Sequence, residues 1–354
     1  MVWLKRIGIA LAVLVVLAAA FLGLCAFSYW NDTRVDASKG IAEAGYVKIG
    51  GIDQWIQLRG RDRNNPVLLW LNGGPGFSQI PQAYSYRRWE EQFTLVMWDP
   101  RGQGRTFARS GTSVKATMTL QQFASDGIEV AEYVRKRLRK DRVGLLGHSF
   151  GSLVGVHMVQ ERPDLFSVYV GTGQVTSLEK QIEFAYPRLI ERARETGNKL
   201  AEDQLVHAGP PPYPAEGFAK WVEISWANQL DPMPKRSLPT PGALWAFATG
   251  ALLESGGLPA GAQFSQETMW DEMLGDDLPA RGLPFAVPVV MIQGSEDLVT
   301  ATALAKDYFD RIEAPSKDFV LLDGAGHLGP IVEPERFLQA LLAHVRPLAV
   351  KNGG

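Results

Sequence analysis

Apolar and polar positions fall into three regimes along the chain. The first is Ile7 to Phe27 (IGIALAVLVVLAAAFLGLCAF), which runs for 21 residues without a charge. Wound as an α-helix it reaches about 31 Å, against roughly 30 Å for the hydrocarbon core of a bilayer. Lys5 and Arg6 precede the run, and Asp32, Arg34 and Asp36 follow it. The short basic end is therefore expected in the cytoplasm, as a stub over 1–6, and the rest of the chain on the non-cytoplasmic side. The pattern predicts a single-pass transmembrane helix over 7–27 followed by a polar tether over 28–43. Export after signal cleavage is the alternative. A signal segment is usually shorter and ends in a small-x-small site, whereas Ala18-Ala19-Ala20 lies inside the run.

In the second regime short apolar runs alternate with helical periodicity. Gly45 to Leu58 reads as two strands about Gly50-Gly51, a hairpin signal. Strands are predicted at Pro66–Leu71, Phe93–Trp98, Val143–Leu146, Val168–Val170, Val287–Ile292 and Phe319–Leu322. They are nearly continuous hydrophobes, as strands buried on both faces require. Leu120–Arg139 has a helical pattern opened by Thr119 with Gln122 three residues on, a capping-box signal. Strand-helix alternation of this kind predicts an α/β class with a mostly parallel sheet flanked by helices.

The third regime, 172–286, breaks the alternation. It is rich in tryptophan and proline and far too long for a loop. Helical patterns recur in it, most clearly at Leu178–Thr196 and Phe218–Leu230. It reads as a helical cap inserted into a core formed by 44–171 and 287–346.

Composition narrows the function. Of 354 residues, 46% are hydrophobic and 21% charged, with a net charge of −2. These are values of an ordinary globular chain, and with no basic tract a nucleic-acid partner is not expected. Five histidines and one cysteine leave little room for a Cys/His zinc site, and none for an internal disulfide.

The chemistry concentrates at the ends of the predicted strands. Gly147-His148-Ser149-Phe150-Gly151 follows one strand and opens a helix, the context of a nucleophile elbow. Such a turn lifts a serine hydroxyl above the sheet, and it needs small neighbours where backbones approach. A serine requires a base, and His327 in Gly324-Ala325-Gly326-His327 follows the last strand. His344 and His157 fall on helical patterns, His207 belongs to the cap, and His148 adjoins the serine in a turn that points neighbours apart. The base needs an acceptor. Asp297 in Gly294-Ser295-Glu296-Asp297 is the choice, with Glu296 in reserve. The oxyanion of an acyl transfer calls for two backbone donors. These are assigned to Phe150, just after the serine, and to Gly74 in Asn72-Gly73-Gly74-Pro75-Gly76, with Gly73 the alternative. No metal or organic cofactor is required.

With these motifs, and with Trp98-Asp99-Pro100-Arg101-Gly102-Gln103-Gly104-Arg105-Thr106, residues 44–345 resemble the α/β-hydrolases, and most of all their proline iminopeptidase branch. The resemblance implies an eight-stranded, mostly parallel sheet with the cap between strands six and seven. It also implies Ser149, Asp297 and His327 as the triad, Gly74 and Phe150 as the oxyanion hole, and removal of N-terminal residues from peptides. Cap acids of that branch hold the substrate ammonium. Here Ala227 follows Trp226 where the branch commonly carries glutamate. Glu223, Trp226 and Pro75 are therefore the substrate-binding candidates, with Glu179 and Glu183 as further acids. An esterase acting on apolar esters is the competing activity, and a non-catalytic binder the remote one. The expected partners are a small-molecule or short-peptide substrate and, through the N-terminal helix, a membrane. The oligomeric state is left open.

Overall fold

A computed structural model describes residues 2–228, 230–232, 238–254 and 258–353. Eight strands form one sheet: β1 (Ile41–Ile49), β2 (Ile52–Gly60), β3 (Val67–Leu71), β4 (Thr94–Asp99), β5 (Val143–His148), β6 (Phe166–Thr172), β7 (Val289–Gly294) and β8 (Lys317–Leu322). Their spatial order is β1-β2-β4-β3-β5-β6-β7-β8. The β1–β2 and β2–β4 pairs are antiparallel and every later pair is parallel. Gly50 and Gly51 make the first hairpin, both at positive φ, where glycine carries no steric penalty.

The α-helices that precede β8 in sequence are α1 (Val2–Thr33), α2 (Gly104–Ser110), α3 (Leu120–Leu138), α4 (Phe150–Glu161), α5 (Leu178–Glu195), α6 (Lys199–Ala208), α7 (Ala215–Ala227), α8 (Pro241–Glu254), α9 (Leu258–Gly275), α10 (Leu278–Arg281) and α11 (Thr302–Arg311). Helices α5 to α10 lie between β6 and β7 in sequence, the stretch read as the cap.

The central strands are buried on both faces. On β3, Leu69 and Leu71 join a core with Phe150 and Val154 of α4, while Leu68 and Trp70 join a second core with Trp89 and Phe337. Alternate side chains of one strand thus feed two cores, which is why the strands read as unbroken apolar runs.

Two local expectations change. The capping box at α3 is only half formed. Thr119 accepts from the Gln122 N–H at 3.1 Å, but the Gln122 amide donates to Asp126 Oδ1 at 2.7 Å rather than reaching back. Asp126 is a buried carboxylate that also accepts from Arg101 and Gln54; it draws the Gln122 side chain away, and the Thr119 N–H donates instead to the Thr117 carbonyl at 3.1 Å. The tether expected over 28–43 is also shorter, because residues 28–33 complete α1 and Ile41 opens β1. The polar end of α1 stays helical because the core caps it. Arg59 and Arg61 donate to the carbonyls of Thr33 and Asp32, and Tyr84 donates to the Asp32 carboxylate. Carbonyls that a helix end leaves open are satisfied in this way. α1 is long and apolar enough to cross a membrane.

Candidate active site

The serine turn is built by close backbone approach. Ser149 sits between β5 and α4 with φ 53° and ψ −123°, a conformation that costs a non-glycine residue of order 1–3 kcal/mol. A Cβ on Gly147 would lie 2.5 Å from the Gly151 carbonyl oxygen, and one on Gly151 2.2 Å from that of Leu71. Neither site admits a side chain without moving backbone. The two glycines let the first turn of α4 pass under β3 and β5, and the hydroxyl is pushed up at the carboxyl end of the sheet, only partly buried.

The three polar residues expected to meet do meet. His327 Nε2 lies 3.1 Å from Ser149 Oγ, and His327 Nδ1 lies 3.0 Å from Asp297 Oδ2. The imidazole and the carboxylate are both buried, at 4% and 2% exposure. Asp297 is fixed on all sides. Its Oδ1 accepts the N–H groups of Val299 and Thr300, each at 2.9 Å, and its Oδ2 also accepts the Thr300 hydroxyl at 2.8 Å. Glu296, the reserve, points away and pairs with Arg192 of α5 at 2.5 Å. Burial alone would disfavour the His327 imidazolium. The charge and hydrogen bond of Asp297, with the charge of Asp231, outweigh it and hold the pKa above the usual histidine value.

The glycine loop after β3 lies against the serine. A Cβ on Gly73 would come within 3.1 Å of Ser149 Cβ and 3.0 Å of His148 Nδ1. Gly74 follows at φ 121°, with Pro75 buried beside it. Phe150 is the first residue of α4, and the N–H groups of a first helical turn have no partner within the helix. The loop and the helix start thus flank the hydroxyl.

Two contacts hold the His327 backbone from opposite sides. His148 Nε2 lies 3.0 Å from the His327 carbonyl oxygen. A carbonyl only accepts, so Nε2 carries the proton. Burial first, and then the charge of His327, push the His148 pKa down to about 3, so this ring is neutral. On the other side, Asp231 accepts the His327 N–H, at 2.9 Å through Oδ1 and 3.2 Å through Oδ2. Asp231 comes from the cap, beyond α7, and is 2% exposed. Burial and the charge of Asp297 raise its pKa to about 6, against the opposing effects of the His327 N–H, the His327 charge and Arg192. Gly326 makes room for it, since a Cβ there would lie 2.4 Å from Asp231 Oδ1. Sequence reasoning missed Asp231 and Thr300. Asp231 lies 96 positions from His327, in irregular chain with no motif around it. Thr300 was visible only as a neighbour of Asp297.

The cap residues expected to bind substrate carry exposed side chains. The Glu223 carboxylate is 67% exposed and pairs with Lys220 at 3.2 Å, one turn away on α7. Glu179 and Glu183 are exposed on α5, and Trp226 is 38% exposed. α7 turns its buried residues Ile224 and Ser225 inward, which leaves Glu223 and Trp226 toward water. The remaining histidines are accounted for elsewhere. His157 contacts Asp276 at 3.3 Å, His344 pairs with Asp318 at 2.5 Å, and His207 is exposed. A surface cavity of about 280 Å³ opens at the β1–β2 edge, lined by Trp55, Gln57, Arg59 and Arg105 among others. It involves none of Ser149, His327 and Asp297.

Residues 66–334 match the family described as having the alpha/beta hydrolase fold. The chain is similar to a probable aminopeptidase of Bacillus subtilis, at 29% identity over 320 residues, 88% of this chain and 99% of the relative. Among solved structures it is similar to the proline iminopeptidase of Mycobacterium smegmatis, with a TM-score of 0.62 and 20% identity over 87% of this chain and 99% of that one. It is also similar to an esterase of Exiguobacterium antarcticum, with a TM-score of 0.55 and 19% identity over 86% of this chain and all of that one. The two structural likenesses concern the fold. The sequence match spans most of the chain, and the sheet order and serine turn agree with it: this chain belongs to the α/β-hydrolase family.

Proposed function

We propose that the protein is a serine hydrolase that cleaves an amide or ester bond through an acyl-enzyme, and that it acts as an aminopeptidase of the proline iminopeptidase kind on short peptides. The observation that carries this reading is the unbroken relay from Ser149 through His327 to Asp297, with contacts of 3.1 and 3.0 Å. Ser149 Oγ attacks the carbonyl carbon while His327 Nε2 takes its proton. The Nδ1–H stays on His327 and donates to Asp297, which stabilises the imidazolium. The oxyanion is held by the N–H groups of Phe150 and Gly74. The imidazolium then protonates the leaving amine or alcohol, and a water activated by the same ring releases the acid. The aminopeptidase part rests on the similarity to the Bacillus subtilis relative across most of both chains.

An esterase of apolar esters is the second reading, and one observation favours it. A buried ammonium needs a carboxylate partner, and the cap acids Glu223, Glu179 and Glu183 are exposed. A panel pairing prolyl naphthylamide with short p-nitrophenyl esters separates the two. The proposal expects turnover of the amide. Ester turnover with no amide turnover would remove the aminopeptidase reading and leave the esterase.

Asp231 supplies a pH prediction. Catalysis requires a neutral His327, so kcat/KM falls as pH drops through the His327 pKa, which lies above the usual value. Asp231→Asn keeps an oxygen to accept the His327 N–H but removes a negative charge that favours the imidazolium. The acidic limb of the pH profile should therefore move to lower pH with the plateau retained. Asp231→Ala removes the hydrogen bond as well, and the plateau should drop by up to about 10²-fold, the scale of an ångström-level misplacement of a reacting group. A limb that stays in place in Asp231→Asn would contradict the electrostatic role.

The uncharged run in α1 supports anchoring in a membrane, and Lys5 and Arg6 before it support a catalytic domain on the non-cytoplasmic side.

A further inference from the structure

We propose that cap helix α8 is a second membrane-contact element, which meets the headgroup region of the bilayer beside α1. The inference rests on the reading of α1 as a membrane span. Three observations lead to it.

The first is that the link between α1 and the catalytic domain is rigid and short. The uncharged run ends at Phe27, while α1 continues without a break to Thr33, about 9 Å further along the axis. Within that distance Tyr29 stacks on Tyr84 at 5.5 Å, and Arg59 and Arg61 hold the last carbonyls. Cys25, inside the uncharged run, is already 2% exposed while most residues before it are open. The domain therefore grips α1 from its last apolar turn onward and has no slack with which to stand away from the membrane.

The second is that α8 is the cap element packed along α1. Their contact is the most extensive between helices in the described chain. The α8 N-terminus sits at the polar end of α1, where a Cβ on Gly242 would lie 3.1 Å from Asp32 Oδ2.

The third is composition. Leu238 to Leu253 (LPTPGALWAFATGALL) contains no charge, and large apolar side chains in it face outward: Leu238 is 93% exposed and Phe247 78%. Soluble surfaces rarely gather such residues without a partner. A helix that buries an apolar face at the level of the headgroups gives them one. Tyr29 and Trp30, just past the end of the uncharged run, are aromatic side chains that suit the membrane-water boundary. The occupant is thus the lipid surface, continuous with the bilayer around α1.

Depth-dependent quenching on the full chain, reconstituted in vesicles of phosphatidylcholine and phosphatidylglycerol, tests the proposal. Cys25 is replaced by alanine, and single cysteines carrying an environment-sensitive fluorophore are placed by Phe247→Cys, Leu244→Cys, Val15→Cys and Asp141→Cys. Asp141 is exposed at the amino end of β5, the end of the sheet away from Ser149. Labelling by a fluorophosphonate reports that each variant is folded. The expected result is strong quenching at 247 and 244 by lipids with a shallow spin label, quenching at 15 by deeply labelled lipids, and none at 141. Unquenched labels at 247 and 244 alongside a quenched label at 15 would overturn the proposal and leave the anchor standing. This includes the case in which cross-linking shows the face covered by a second copy. An unquenched label at 15 would remove the membrane reading itself.

Discussion

Ser149→Ala is expected to lower kcat/KM by about 10⁶-fold, the loss found when the nucleophile of a serine hydrolase is removed. The reason is geometric. In the proposed mechanism the hydroxyl attacks the carbonyl, and its 3.1 Å contact with His327 Nε2 would make it nucleophilic. With the hydroxyl gone, the proposed oxyanion donors, the Phe150 and Gly74 N–H groups, would still polarise a bound carbonyl, so a small residual rate over water is expected. The fold should be untouched. The strain of the turn is set by backbone approaches at Gly147 and Gly151, which alanine at 149 does not alter. The measurement is steady-state hydrolysis of whichever substrate the panel identifies, with thermal unfolding as the control. A loss of less than about tenfold would mean that the hydroxyl is not the attacking group.

Asp297→Asn is expected to cost about 10⁴-fold in kcat, roughly 5 kcal/mol of barrier. The substitution is nearly isosteric, and its effect follows from the hydrogen-bond pattern. Asp297 Oδ1 accepts two N–H groups, while Oδ2 accepts the Thr300 hydroxyl and faces His327 Nδ1 at 3.0 Å. The two N–H donors hold the amide oxygen of asparagine at the Oδ1 position. Its NH₂ then lands on the side of His327, where it donates to Nδ1 and forces the proton onto Nε2. That tautomer cannot accept the serine proton. The Thr300 hydroxyl, now without an anionic acceptor, lies 3.0 Å from the same Nδ1 and reinforces the wrong tautomer. The loss should fall on kcat far more than on KM, because Asp297 is buried behind His327, 2% exposed. A compensating gain at high pH, as for a deprotonated serine attacking without the base, would be consistent. An unchanged kcat would exclude Asp297 as the orienting group.

What could be read from the sequence was local. The elbow was legible because its steric demand is met within five residues: a strained serine needs glycine at 147 and 151 and nowhere else. Buried parallel strands were legible because two cores leave no polar face on β3 or β5. The order Ser149, Asp297, His327 followed from placing each at the end of a strand. Contacts made across the fold were not legible. Asp231 reaches His327 from the cap, and nothing around Leu230-Asp231-Pro232 marks it, because its partner is a backbone N–H that every residue possesses. The exposure of Glu223 was hidden for a related reason. Helical spacing locates a residue on a face, but which face of α7 is turned inward is decided by Ile224 and Ser225 packing into the cap. The continuation of α1 through polar residues 28–33 was hidden for the same cause, since the arginines that cap it lie on β2 and just beyond it.

The central claim is that the Ser149 hydroxyl is activated by His327. Mass mapping after reaction with a fluorophosphonate tests it directly. One phosphonyl adduct is expected, on the peptide that carries Ser149, with a strongly slowed reaction in His327→Ala. An adduct on another residue, or labelling that persists undiminished in Ser149→Ala, would contradict it.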